Sequence, residues 1–242
     1  MPLQPLEVFD TADFIVNSNK IDIWRFPLHT ESIQSHAILS PDELTRANRY
    51  HFAKHKRRFT IARTMLRLII ARYLSVNPKK IIFTYNTYGK PFIHQYPELQ
   101  FNLTHSKDCA LLAIGSTHPI GIDIEYFSAR PYLNIGKEIF SYKENIELQN
   151  LSQSMRPLGF FHLWAQKEAL IKACGLGLSY PTKQFDLPLL PPTRLNIIDP
   201  KFKQPWQIYS FMPELACCAA ICYHPSVNQL CYLSLKKSDL EF

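Results

Sequence analysis

The sequence predicts an α+β protein, and three observations carry that reading. The segment Ile21-Asp22-Ile23-Trp24-Arg25-Phe26-Pro27-Leu28 alternates like a strand. Two windows, Arg57 to Leu74 and Phe160 to Cys174, repeat apolar residues at helical spacing, the first through Phe59, Ala62, Leu66, Ile69, Ile70 and Tyr73. The order helix, strands, helix, strands occurs twice, with a seam near Pro119 that divides the chain into residues 1–118 and 119–242.

Ser40-Pro41-Asp42-Glu43 is a helix start: a Ser cap, Pro in the first turn, then two acids at the positive end of the helix dipole. Pro78 ends the first long helix, Lys80 to Tyr85 reads as a strand, and Tyr88-Gly89-Lys90-Pro91 as a turn. Phe101 to Thr104 and Cys109 to Ile114 are strands around a polar turn. After a turn at Gly115 to Pro119, the run to Glu125 is a third strand. Glu138 to Leu151 is read as one helix, and the helix ending at Cys174 is stopped by Gly175. Short strands follow between Phe185 and Leu235.

Of the 242 residues, 46% are hydrophobic and 19% charged, the balance of a soluble globular protein. No stretch approaches the roughly 18 apolar residues of a membrane span, and Met1 to Glu7 lacks the basic start of a signal peptide. The six cysteines form no C-x-x-C pair and have no His at zinc spacing, so they read as buried free thiols in a reducing cytoplasm. The net charge of +7 is lopsided: residues 1–118 hold 15 Lys and Arg against 9 Asp and Glu, whereas the remainder holds 12 against 11. Between Leu44 and Pro97 there are 12 basic residues and no acid, which points to an anionic ligand.

Chemistry concentrates in three places. In Ile122-Asp123-Ile124-Glu125 the period of a strand puts both carboxylates on one face, about 6.6 Å apart, a span suited to one hard divalent cation. A half-exposed strand with outward acids has the same pattern. In Trp164-Ala165-Gln166-Lys167-Glu168-Ala169-Leu170-Ile171-Lys172, Glu168 and Lys172 share the rim of an apolar stripe, as a surface i,i+4 pair also would. Lys167 falls inside the stripe, which suggests a polar cleft crossing the helix. The third place is basic: Arg46, Arg49, Lys54, Lys56, Arg57, Arg58, Lys90 and, in a polar turn, His105.

Taken in order, these segments resemble the two-lobed 4′-phosphopantetheinyl transferases of the surfactin-synthetase-activating type. The matching stretches are Ser40-Pro41-Asp42 with the basic helix through Arg58, Tyr88-Gly89-Lys90-Pro91, Phe101-Asn102-Leu103-Thr104-His105-Ser106, Pro119 through Glu125, Phe140-Ser141 followed by Glu144, Trp164 through Lys172, and Gly175-Leu176-Gly177-Leu178-Ser179. They span about residues 40–180. The resemblance implies a pseudo-dimer of two similar α+β lobes with the active site at their interface and coenzyme A between them. It implies Asp123, Glu125 and Glu168 as ligands of magnesium, or manganese in its place. Arg46, Arg58, Lys90, Thr104 and His105 would contact the nucleotide and its 3′-phosphate, with Lys172 on the pyrophosphate. Glu144 matches an acid that helps deprotonate the acceptor serine. Glu43, Thr45 and His55 depart from the family's usual residues.

The reaction so implied is attack of a carrier serine on the β-phosphorus of coenzyme A, releasing 3′,5′-ADP. Lys172 stabilises the leaving group, and either Glu144 or a water held by Glu125 acts as base. The expected partner is an acidic apo carrier protein; no nucleic acid or membrane partner is expected, and the chain is expected to be a monomer. Two rivals remain at this point: a metal-dependent phosphoesterase or nuclease using the same carboxylates, and a non-catalytic nucleic-acid binder suggested by the high pI and 13% aromatic content.

Overall fold

The structure, a computed structural model, describes residues 7–9, 12–29, 37–129, 131–190 and 194–236. Strands β1 (Glu7–Phe9) and β2 (Lys20–Pro27) precede helices α1 (Pro41–Asn48) and α2 (Ala53–Leu74). Strands β3 (Thr84–Tyr85), β4 (Pro91–Phe92), β5 (Leu99–Ser106), β6 (Cys109–Ser116) and β7 (Gly121–Tyr126) follow. Helices α3 (Tyr132–Ile139), α4 (Tyr142–Asn150) and α5 (Arg156–Cys174) lead to β8 (Arg194–Ile198), β9 (Pro205–Phe211), β10 (Cys217–Tyr223) and β11 (Gln229–Ser234).

Two large sheets result, ordered β1-β11-β2-β6-β5 and β7-β10-β9-β8, beside the small pair β3-β4. Within each, the lobe's opening strand pairs with a later strand that in turn pairs with its predecessor: β2-β6-β5 matches β7-β10-β9. This repeated order, each copy carrying one long helix, is the two-lobed pseudo-symmetric α+β fold. The layers are α2, first sheet, second sheet, α5. Leu66, Ile69 and Ile70 of α2 pack on Trp24, Phe26 and Leu112. Ile21, Ile23, Leu111 and Ala113 meet Ile122, Ile124, Ala219 and Ile221 between the sheets. Phe160, Leu163 and Leu170 of α5 cover Cys218, Ala220 and Cys222. Because β6 and β10 are buried on both faces, their sequences are continuous apolar runs rather than alternating ones.

Four expectations need correction. A division at 118/119 assigns every later residue to the second lobe, yet β11 lies in the first sheet, parallel to β2. The helix expected over Glu138 to Leu151 is two helices, because Ser141 caps α4 in a reciprocal capping box with Glu144 and stops α3 before it. The two long helices begin earlier than their apolar periodicity, at Ala53 and Arg156, since a basic first turn and Pro157 carry no periodic signal. Of the strand expected from Lys80, only Thr84–Tyr85 pairs; Pro78–Lys80 is a single 3₁₀ turn.

The lobes meet along β5 and β7, edge strands of different sheets. Here polar side chains replace a backbone ladder. Asn102 Oδ1 accepts the Ile122 N–H at 2.8 Å, the Thr104 hydroxyl donates to Asp123 Oδ1 at 3.1 Å, and the Ser106 hydroxyl donates to Glu125 Oε2 at 3.2 Å. On its other flank β7 lies tight against α5. A Cβ on Gly121 would stand 1.9 Å from the Ala169 carbonyl oxygen and 2.3 Å from the Ala173 nitrogen, so only glycine fits. We expect G121A to lower stability by at least about 3 kcal/mol, measured by urea unfolding, because the clash is with helix backbone that cannot rotate away. A variant as stable as the parent would show that β7 and α5 tolerate separation.

Candidate active site

Alternation along β7 sends Ile120, Ile122 and Ile124 into the intersheet core and turns Asp123 and Glu125 toward α5 and β5. Glu168 and Lys172, one turn apart on α5, meet them. The Lys172 ammonium donates to Asp123 Oδ1 at 2.6 Å, to the Thr104 hydroxyl at 3.1 Å and to the Ile122 carbonyl at 3.3 Å. Asp123 is 4% exposed, and its second oxygen, Oδ2, is buried without a hydrogen-bond partner. Burial pushes the Glu168 carboxyl above its usual range. Asp123 and Glu125 push the same way, while Lys172 opposes them.

Among the described residues, no group of three or more His, Cys, Asp or Glu side chains is placed so that it could hold a metal ion as it stands. The three carboxylates are electrostatic neighbours, with Lys172 resting on Asp123. The chemistry of these side chains nonetheless suits a hard cation: all three are carboxylates, and Asp123 keeps one buried oxygen without a donor.

The basic end of the site is less uniform than the sequence suggests. Arg63 and Arg67 are internal: they bind both oxygens of Glu43, at 2.7 and 2.6 Å through their Nε atoms. Glu43 itself accepts the Ser40 N–H in the capping box of α1, so its departure from the family pattern serves the fold. Arg58 grips Asp108 through two hydrogen bonds, at 2.9 and 3.1 Å, and holds that carboxyl down at about 2. Arg46 lies over the Phe59 ring at 5.3 Å and lines an open cleft of about 1090 Å³ with Arg49, Tyr50, Tyr88 and Gly89. His105 joins the two ends. Partial burial, Lys172 and Arg58 all lower its pKa, and Asp123 raises it.

Lys90 and Thr104 differ from the expectation of direct nucleotide contacts. The Lys90 ammonium turns inward to the carbonyls of Ile120 and Ala173, at 3.1 and 3.0 Å, and burial lowers its pKa to about 8. It ties the Tyr88-Gly89 turn to the end of α5. Thr104 is occupied by Asp123 and Lys172.

Glu144 is not an available base. It is 1% exposed; Oε1 takes the Leu187 N–H at 2.7 Å and the Lys167 ammonium at 2.9 Å, and Oε2 takes the Ser141 N–H at 2.7 Å. Lys167, expected to mark a cleft, is instead sealed in this cluster, donating also to the carbonyls of Thr182 and Phe185. Sequence reasoning missed Asn86 and Asp108 altogether. Asn86 Oδ1 accepts the N–H groups of Tyr88 and Lys90, and its amide donates to Gly175 at 2.8 Å, a role hinted at only by an Asn opening a Gly turn. The polar alternation of Asn102, Thr104 and Ser106 was a visible signal for the seam.

We expect E144Q to lower stability by about 3–5 kcal/mol, since it strands a buried ammonium, and the joint change E144L/K167M to be much milder. Urea midpoints measure both. A fully stable E144Q enzyme that has lost its activity would return Glu144 to the chemistry.

Comparison with known proteins adds to this geometry. Residues 119–220 match the family description "4′-phosphopantetheinyl transferase superfamily", and residues 23–117 match "4′-phosphopantetheinyl transferase, N-terminal". The chain is 36% identical to the 4′-phosphopantetheinyl transferase HetI of Nostoc sp., over 84% of this chain and 87% of that protein. It is 31% identical to the 4′-phosphopantetheinyl transferase Sfp of Bacillus subtilis strain 168, over 78% and 84% respectively. It is also 28% identical to a mouse L-aminoadipate-semialdehyde dehydrogenase-phosphopantetheinyl transferase, over 68% and 57%.

Proposed function

This chain belongs to the 4′-phosphopantetheinyl transferase superfamily, and we propose that it moves the phosphopantetheine arm of coenzyme A to a serine of an acidic apo carrier protein at the β7–α5 site. One observation carries the assignment of the site: a buried aspartate oxygen with no donor, beside Glu168 and Lys172, where the two lobes meet.

In this reading the open cleft at Arg46, Tyr88 and Gly89 takes the nucleotide, and Arg58 and His105 bind its phosphates. Asp123, Glu125 and Glu168 would hold magnesium or manganese. A divalent cation there would offset the charge of the pyrophosphate. Lys172, already among three oxygen acceptors, shifts its ammonium toward the leaving phosphate as negative charge grows there. The serine hydroxyl needs a proton acceptor, and with Glu144 enclosed the base in this reading is a water held by Glu125.

Residues 1–118 are assigned the nucleotide contacts, and residues 119–242, whose strand β11 returns to the first sheet, the carboxylates and Lys172. We read the protein as a monomer of the cytoplasm, a setting that suits six free cysteines. Among the described residues no helix is long and apolar enough to cross a membrane. Two of the aromatics behind the nucleic-acid reading serve packing, Tyr73 in the α2 core and Trp164 stacked on Phe160. The phosphoesterase reading has no relative among these matches.

Intact mass spectrometry of a purified apo carrier incubated with enzyme, coenzyme A and magnesium should show one added phosphopantetheine. D123A should slow transfer by about 10³-fold or more and abolish Mn²⁺ binding seen by electron paramagnetic resonance. Full transfer and ion binding in D123A would remove the metal assignment. The KM for the carrier should also rise several-fold between low and high salt if charge steers the encounter; a flat profile would oppose an acidic partner.

A further inference from the structure

Helix α5 ends at Gly175, which takes the left-handed conformation with φ of 68° and returns its N–H to the Ile171 carbonyl. The carbonyls that follow Ile171 are left without helical donors, as at any helix end. Two of them are met from the other lobe, by the turn between β3 and β4. The Lys90 ammonium donates to the Ala173 carbonyl at 3.0 Å, and the Asn86 amide to the Gly175 carbonyl at 2.8 Å. A cation is also the charge that the negative end of a helix favours.

Lys90 does more than cap. Its second hydrogen bond, at 3.1 Å, goes to the carbonyl of Ile120, the residue before Gly121. At Gly121 the strand β7 presses on α5, against the Ala169 carbonyl and the Ala173 nitrogen. One ammonium therefore grips both sides of that contact, from a lobe that owns neither element. Lys172 directly precedes Ala173, and Asp123 lies two residues after Gly121. The 2.6 Å pair between them is thus built on the stretch that Lys90 holds. With two of its three N–H groups committed to carbonyls, Lys90 has little left to offer a phosphate. The turn is braced as well: Asn86 Oδ1 accepts the N–H groups of Tyr88 and Lys90, both at 2.9 Å. Tyr85, Tyr88 and Gly89 of the same hairpin wall the open cleft assigned to the nucleotide.

We propose that Lys90 is a positioning residue for the transfer: reaching across from the nucleotide lobe, it fixes the end of α5 against the start of β7 and so places Lys172 on Asp123. The proposal rests on the transferase reading above. The turn that walls the nucleotide cleft thereby also aligns the lysine that meets the leaving phosphate.

The test is steady-state transfer from coenzyme A to a purified apo acyl carrier protein, well below each variant's thermal midpoint, with kcat and the KM for coenzyme A measured separately. K90M keeps the length of the side chain without its donors. Its kcat should fall about 10- to 100-fold, while its KM for coenzyme A stays within about twofold of the parent. Hydrogen–deuterium exchange in K90M should be faster in the peptides that hold Gly121 and Ala173 to Gly175. N86D keeps Lys90 and the acceptor within the turn but loses the donor to Gly175, and should show the same split at about threefold. Parent-like kcat in a folded K90M would overturn the proposal, leaving a lysine that only stabilises, as would a change confined to the KM for coenzyme A. Where K90M is too unstable to assay, parent-like kcat in N86D would overturn it. Failure of the parent enzyme to load any carrier would count instead against the transferase reading, and unchanged exchange in K90M would count against the clamp itself.

Discussion

Everything at the site depends on how closely β7 lies against α5. The approach is set at Gly121, where a single added carbon would overlap the backbone of Ala169 and Ala173. Two residues further along, Asp123 is thereby brought within 2.6 Å of the Lys172 ammonium, and Glu125 comes near enough to affect Glu168. The opposite edge of β7 is held by β5, whose Asn102, Thr104 and Ser106 supply hydrogen bonds that a ladder strand would otherwise make. One strand is therefore clamped between a helix of its own lobe and an edge strand of the other. The carboxylates sit at that junction because β7 is the element both lobes share.

Buried charge in this protein falls into two kinds, separated by whether every lone pair is used. Glu43 with Arg63 and Arg67, and Glu144 with Lys167, are closed clusters: each carboxylate oxygen has a donor, Arg67 and Lys167 reach backbone carbonyls as well, and Arg63 reaches the Tyr85 hydroxyl. Such clusters specify how α1 meets α2 and how α4 meets α5. Asp123 with Lys172 differs, because Asp123 Oδ2 faces no donor. An acceptor left unsatisfied inside a protein is costly unless a ligand completes it. That difference in hydrogen bonding, more than charge or burial alone, divides the scaffold from the reactive end.

The same division explains what was legible in the residues. The strand period in Ile120 to Glu125 placed two carboxylates on one face, and the spacing of Glu168 and Lys172 placed two charges one turn apart. Both rest on local geometry, which the chain carries within a few residues. Lys167 and Glu144 were harder. Each looked like a site residue, a cation in an apolar stripe and an acid in a matching motif, and only their meeting across α4 and α5 shows that each neutralises the other. The basic run from Leu44 to Pro97 was likewise read as one surface, although Arg63 and Arg67 turn inward to an acid that lies just before the run begins.

By itself, the sequence determined the α+β class, the two long helices, the alternation of β7 and the family to which these motifs belong. These follow from periodicity and from short ordered motifs, both properties of neighbouring residues. The tertiary structure decided that β11 returns to the first sheet, that Lys90 spends its ammonium on the end of α5, and that three carboxylates and a lysine share one junction. Those outcomes depend on which distant segments come to lie within about 3 Å of each other, the reach of a hydrogen bond, and no local pattern encodes that distance.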